Sequence, residues 1–188
     1  MKKGRLFVFS APSGSGKTTI VKAVMAEYKD LVFSISATTR SSRLNEKDGI
    51  DYFFLDEKRF KELIEKNEFI EWERFYDYYY GTLRSFVESN INNGKSLVLE
   101  VDVKGALKIK NEYPNSVLIF IAPPGIEELK KRLTLRNTES EEDFHKRIER
   151  AELELSFRDK FDYVILNHDL KSAKQNVLEI IEKEINKE

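Results

Sequence analysis

The feature that most constrains this chain is a change of pattern within its first 25 residues. Leu6-Phe7-Val8-Phe9-Ser10 is an unbroken β-prone run, the pattern of a strand covered on both faces. It leads into Ala11-Pro12-Ser13-Gly14-Ser15-Gly16, and from Lys17 the spacing turns helical, with Ile20, Val21, Val24 and Met25 sharing one face. A buried strand delivered into a glycine loop that opens a helix is the order an anion cradle requires. Gly14 and Gly16 allow the backbone to turn its N–H groups inward, at the positive end of the helix dipole. Lys17 supplies a point charge for the β- and γ-phosphates of ATP, and the Thr18 hydroxyl a ligand for Mg²⁺. Measured against the pattern G-x-x-x-x-G-K-[ST], the first position is Ala11, the smallest residue with a Cβ. The residues expected to hold the nucleotide phosphates are therefore Ala11, Pro12, Ser13, Gly14, Ser15, Gly16, Lys17 and Thr18. Alone, such a cradle specifies nucleotide binding and leaves the reaction open.

Further buried strands are expected at 31–36, 96–101, 117–121 and 163–166, and helices at 83–92, 103–111, 126–136, 143–157 and 170–186. Strands alternating with helices imply a parallel, doubly wound α/β sheet. Residues 37–82 break the alternation: a polar loop, a short strand at 52–55, an amphipathic helix near 58–66 and an aromatic-rich segment. Such an insertion is expected at the carboxyl edge of the sheet, where α/β folds place their ligands. A second polar excursion, 134–142, suits a lid. Within 96–101, Glu100 and the following Asp102 stand at i and i+2, so on a continued strand both would face one side. Glu100 is the expected Mg²⁺ partner, acting through water, and Asp102 faces the acceptor.

Composition narrows the classes. The 188 residues suit one compact domain, and a net charge of −1 with 35% charged residues advertises no nucleic-acid partner. Cysteine is absent, which removes disulfides and thiolate chemistry. The apolar stretch after Met1 is too short for a signal segment, and no run approaches 18 apolar residues, so a cytoplasmic protein without a membrane partner is expected.

Several downstream motifs occur in a fixed order: Ser34-Ile35-Ser36-Ala37-Thr38-Thr39-Arg40 with Arg43, Gly49-Ile50-Asp51-Tyr52-Phe53-Phe54, Glu68-Phe69-Ile70-Glu71-Trp72, Tyr79-Tyr80-Gly81-Thr82 and Asp102-Val103-Lys104-Gly105. Together with the loop at 11–18 they closely resemble the guanylate kinases, over essentially the whole chain. The resemblance implies a five-stranded parallel P-loop sheet flanked by helices, a mixed α/β GMP-binding lobe and a small helical lid. It places a single domain at 4–184, with core at about 4–36, 83–125 and 150–186, GMP lobe at 37–82 and lid at 126–149. It implies transfer of the γ-phosphoryl of ATP to GMP, and to dGMP, with Mg²⁺.

Roles carry over position by position. Arg40, Arg43, Tyr52 and Tyr80 would hold the GMP phosphate, for which guanidinium forks suit a dianion. Ser36, Glu71, Thr82 and Asp102 would read the base. Guanine offers N1–H and N2–H₂ donors to carboxylates, whereas adenine would turn an acceptor toward them. Lys17, Arg40, Arg136 and Arg147 would neutralise charge in transfer, and Asn167 would lie beside adenine. Arg132 is equally a structural ion-pair residue, and Tyr76 and Tyr78 an aromatic surface. Outside its motif, Glu71 would read as a solvent-facing acid. Departures from the family pattern are Asn137 for glycine, Lys104 for glutamine, His168 for aspartate and Asp77-Tyr78 for Gly-Asn. Neither His145 nor His168 is assigned a catalytic part. Two other readings remain: a kinase-like binding module without activity, and a P-loop kinase for another acceptor. Monomer and homo-oligomer are both compatible with the sequence.

Overall fold

The computed structural model describes residues 3–75, 77–134 and 141–187, the side chains of 141–143 excepted. In chain order its elements begin with β1 (Leu6–Ser10), α1 (Lys17–Glu27), β2 (Val32–Phe33), β3 (Ser36–Thr38) and β4 (Phe53–Phe54). Next come α2 (Glu57–Glu65), β5 (Phe69–Phe75), β6 (Tyr78–Leu83), α3 (Arg84–Asn92), β7 (Leu97–Glu100) and α4 (Val103–Glu112). The chain ends with β8 (Val117–Ala122), α5 (Ile126–Thr134), α6 (Glu141–Leu155), β9 (Tyr163–Leu166) and α7 (Leu170–Asn186).

Five strands form a parallel sheet in the order β2-β7-β1-β8-β9. The continuous apolar run of β1 follows from its central position, because a strand's side chains alternate between faces and both are covered here. Phe7 and Phe9 join α1 and α7 in one core, with Ile20, Val24 and Val177. Leu6 and Val8 join the opposite core, with Leu97, Leu99 and Val103 and Ile109 of α4. The sheet is doubly wound as expected. β1 lies between β7 and β8, so the loop leaving it opens into the crevice where neighbouring connections diverge to opposite faces.

A second, four-stranded sheet has the order β4-β3-β6-β5 and mixes one parallel with two antiparallel pairings. The aromatic segment forms the β5–β6 hairpin, and α2 packs on it through Phe60, which stacks on Phe69 with ring centroids 4.3 Å apart. Asp56 caps α2 by accepting from the Arg59 N–H at 2.7 Å.

One expected strand is corrected. Residues 31–36 do not form a single buried strand: β2 holds only Val32 and Phe33 at the sheet edge, with Phe33 exposed. Ser34 still donates to the Val98 carbonyl, but by Ser36 the chain has crossed to the second sheet, where it pairs with Thr82. The apolar density of 31–35 resembled a core strand because an edge strand and a crossover share its composition. Among the described residues no helix is long and apolar enough to cross a membrane.

Phe60 is fully buried and ties α2 to the second sheet. Phe60→Ala is expected to cost about 3–5 kcal/mol of stability, read as a lower urea midpoint at unchanged secondary structure.

Candidate active site

The loop after β1 adopts the turn its glycines permit. Gly14 and Gly16 have φ of 87° and 89°, left-handed values that a side chain resists. Ser15 N–H closes the turn on the Pro12 carbonyl at 3.1 Å, and Gly16 caps α1, which starts at Lys17. A Cβ on Gly16 would collide with the Asn167 amide, whose Nδ2 donates to the Ser15 carbonyl at 2.7 Å. Asn167 thus clasps the loop from behind, held by its own N–H on Ala122. Ala11 packs partly buried against the core, so the missing glycine at that position leaves the turn intact.

Lys17 Nζ donates to the Val101 carbonyl at 3.1 Å, across from the loop. Although the residue keeps some accessible surface, protein atoms crowd its ammonium, and burial pushes its pKa down against the pull of Glu100, Glu154 and Asp102. The Thr18 hydroxyl donates to Glu100 Oε2 at 2.8 Å. A hydroxyl and a carboxylate side by side at the exposed mouth of the cradle are hard oxygen ligands that fit Mg²⁺. Arg147 Nη2 reaches Ser13 Oγ at 2.6 Å, so α6 closes over the loop. Ser13, Lys17, Thr18 and Arg147 line a cleft of about 720 Å³ together with Arg74, Phe75 and Asp102.

Beside it lies a second pocket of about 350 Å³, lined by Ser36, Tyr52, Glu71, Tyr80, Glu100 and Asp102 among others. Glu71 is buried on β5 rather than solvent-facing, with the Thr82 hydroxyl donating to its Oε1 at 2.6 Å. Burial raises its pKa to about 7, with the nearby Asp102 charge adding to the shift and the Thr82 hydrogen bond opposing it. Thr82 therefore acts through Glu71, its proton already committed. Arg40 is forked on Glu46, both bonds at 2.9 Å, and its guanidinium lies 5.3 Å from the Tyr52 ring centre. The Arg40 hydrogen bonds and the Arg43 backbone N–H lower the Glu46 pKa to about 2. Tyr80 stands edge-on to Tyr52 at 6.3 Å. Arg43 is exposed on the same loop.

Asp102 departs from the expected strand geometry. β7 ends at Glu100, and Asp102 caps α4, its Oδ1 accepting from the Gly105 N–H at 2.7 Å. The carboxylate still borders both pockets, but as a helix cap with one oxygen committed. Arg132 pairs with Glu128 at 3.0 Å and contacts the Asn167 carbonyl at 3.4 Å, its structural reading. Arg136, Asn137 and Tyr76 lie outside the described residues.

This geometry has close counterparts. The family model for guanylate kinase matches residues 3–184. A guanylate kinase of Thermotoga maritima is 49% identical over 182 residues, covering 97% of this chain and 88% of the relative. One from Mycoplasma genitalium is 50% identical over 169 residues, covering 89% of this chain and 70% of its own length. The crystal structure of guanylate kinase from Anaplasma phagocytophilum superposes with a TM-score of 0.80 at 31% identity, covering 100% of this chain and 89% of that one. The chain belongs to the guanylate kinase family.

Within this guanylate kinase fold, three side chains at the junction of the pockets escaped the sequence reading: Glu73, Arg150 and Glu154. Arg150 lines both pockets and contacts Glu154 through Nε at 3.0 Å and Glu73 through Nη2 at 3.6 Å. A signal existed for Arg150, which follows Arg147 by three positions and so lies near it on a helix face. Nothing local marks Glu73, whose partners Arg150 and Asp102 come from α6 and the start of α4.

A carboxyl with a raised folded pKa holds its proton more tightly folded than unfolded, here between pH about 4.5, its ordinary value, and about 7. Glu71 therefore makes stability fall as pH rises through that window, and Glu73, also raised to about 7 chiefly by burial, acts in the same direction. Glu71→Gln is expected to flatten that fall, measured by urea denaturation at half-unit pH steps.

Proposed function

We propose that this chain transfers the γ-phosphoryl of ATP to GMP, forming GDP and ADP, and accepts dGMP as well. The observation that carries this reading is the shared wall: Lys17, Phe75, Asp102 and Arg150 line both the cradle and the acceptor pocket. Two nucleotides bound side by side would then meet phosphate to phosphate. In the acceptor pocket, the Glu71 carboxylate, held by Thr82, accepts from the guanine N–H groups, with Ser36 and Asp102 beside it. Adenine would leave a buried acceptor facing that carboxylate, a mismatch worth roughly 10⁴-fold in a site built on polar pairing. Arg40 exchanges Glu46 for the GMP phosphate with Arg43, Tyr52 and Tyr80, its guanidinium already oriented over the Tyr52 ring. None of these groups is assigned to the ribose 2′-hydroxyl, which is why dGMP serves.

The GMP phosphate is ionised near neutral pH, so transfer requires no dedicated general base. The chain supplies alignment and positive charge: the amides of 11–18 and Lys17 on the donor, Arg40 on the acceptor, and Arg147 with Arg136 from the lid. Mg²⁺ arriving with ATP would be held by Thr18 and, through water, Glu100, where it neutralises phosphate charge. Asn167 fixes the loop and borders the adenine side. We assign the sheet and its helices, about 4–36, 83–125 and 150–186, to the core, 37–82 to the GMP lobe and 126–149 to the lid. A cytoplasmic role in guanine nucleotide synthesis and salvage fits this chemistry.

Lys17→Met is expected to lower GDP formation by about 10²–10³-fold in a coupled assay, since a transition-state charge donor is lost. Near-normal turnover there, or AMP preferred over GMP in an acceptor panel with dGMP and UMP, would refute the reading. Thr18→Val and Glu100→Gln should each raise the Mg²⁺ concentration for half-maximal rate by about tenfold, read by metal titration at fixed ATP.

A further inference from the structure

The acceptor pocket is rich in like charge. Glu71, Glu73, Glu100 and Asp102 all line it, and the cations on its wall are Lys17 and Arg150. Lys17 is taken up at the cradle by the Val101 carbonyl. Arg150 is differently engaged: its guanidinium packs over Phe75, with Cζ 4.7 Å from the ring centre, and pairs through Nε with Glu154 at 3.0 Å. Its Nη2 faces Glu73 Oε1 at 3.6 Å and Asp102 Oδ2 at 3.9 Å. The other Asp102 oxygen is committed to the Gly105 N–H, so Oδ2 is the one directed at Arg150, and the Asp102 carboxyl also hydrogen-bonds the Glu73 carboxyl. One turn earlier on α6, Arg147 contacts Ser13 of the cradle. A single stretch of helix therefore touches both the donor loop and the acceptor wall.

We propose that Arg150, anchored by Glu73, Glu154 and Phe75, is a positioning residue for the acceptor: it holds Asp102 Oδ2 in place for the guanine 2-amino group. A guanidinium on a fixed stack, facing both carboxyls, gives Asp102 a defined direction beside the Glu73 group it hydrogen-bonds. The same contacts tie the α6 turn bearing Arg147 to the acceptor wall, so the closed arrangement over the cradle and the ordered base site support one another. This inference rests on the GMP-kinase reading and deepens it.

The test compares GMP with IMP, which keeps N1–H and lacks the 2-amino group, as acceptors for the whole chain. Arg150→Gln is expected to raise the KM for GMP about tenfold, change kcat by less than about threefold, and narrow the GMP-over-IMP preference in kcat/KM about tenfold. Arg150→Lys, which keeps the charge, should recover most of that preference. Glu73→Gln should shift it the same way, and the double variant should be no worse than Arg150→Gln alone, because the two act as a unit. A wild-type GMP-over-IMP ratio in Arg150→Gln would overturn the proposal. So would an equal loss toward both acceptors accompanied by a lower Tm, the pattern of a merely structural contact. Wild-type protein that fails to phosphorylate GMP would instead overturn the acceptor reading, and this proposal with it.

Discussion

The Lys17 ammonium, drawn onto the Val101 carbonyl at the carboxyl end of the sheet, ties the loop after β1 to the end of β7. That contact joins two strands that are already neighbours in register, so the loop cannot drift from the carboxylates that follow β7. Asn167, arriving from β9 on the far side of β8, fastens the same loop through the Ser15 carbonyl. Three parallel strands thus converge on one anion cradle. Each contact requires the sheet order and would vanish if any of those strands were displaced. The core that sustains this order is ordinary: alternating side chains of β1 interleave with α1 and α7 on one face and α4 on the other.

On the acceptor side the governing cost is a buried carboxylate. Glu71 is tolerated because Thr82, its register neighbour on β6, donates to it, and because its raised pKa lets a proton relieve the buried charge. Arg40 reverses the logic: a partly covered acid, Glu46, occupies its guanidinium fork through two hydrogen bonds. Glu71 and Arg40 are therefore both oriented by protein partners, one by a hydrogen bond and one by an ion pair. Such prior orientation lowers the ordering cost of binding.

Much of this was readable in advance. The strand–loop–helix at 6–25, the parallel doubly wound sheet and most helices followed from periodicity, and the loop and ordered motifs named Lys17 and Thr18, which line the first pocket, and Ser36, Tyr52, Glu71 and Tyr80, which line the second. Where the reading failed, the failures have physical causes. The stretch 31–36 carries the apolar density of a core strand, yet it is an edge strand followed by a crossover between sheets, a distinction composition does not encode. Asp102 was taken to continue a strand because alternation extends naturally through Val101, whereas its carboxylate caps the next helix. Glu73 gave no local signal and the helix spacing of Arg150 from Arg147 did not name its partner, since their meeting depends on how a hairpin and a helix distant in the chain come to pack.

The sequence by itself determined the kinds of group available and their order: glycines where the backbone must turn left-handed, a lysine and threonine at the helix start, and arginines, tyrosines and acids downstream. Those are properties of short segments, in which covalent spacing and backbone sterics act directly. Only the tertiary structure decided that Glu71 is buried, that Thr82 serves Glu71, that Asn167 grips the cradle from behind, and that Arg150 faces two acids at once. Burial and through-space pairing depend on which elements meet, and solvent exclusion, which sets the charge of those acids, exists only once the sheets and helices have closed around them.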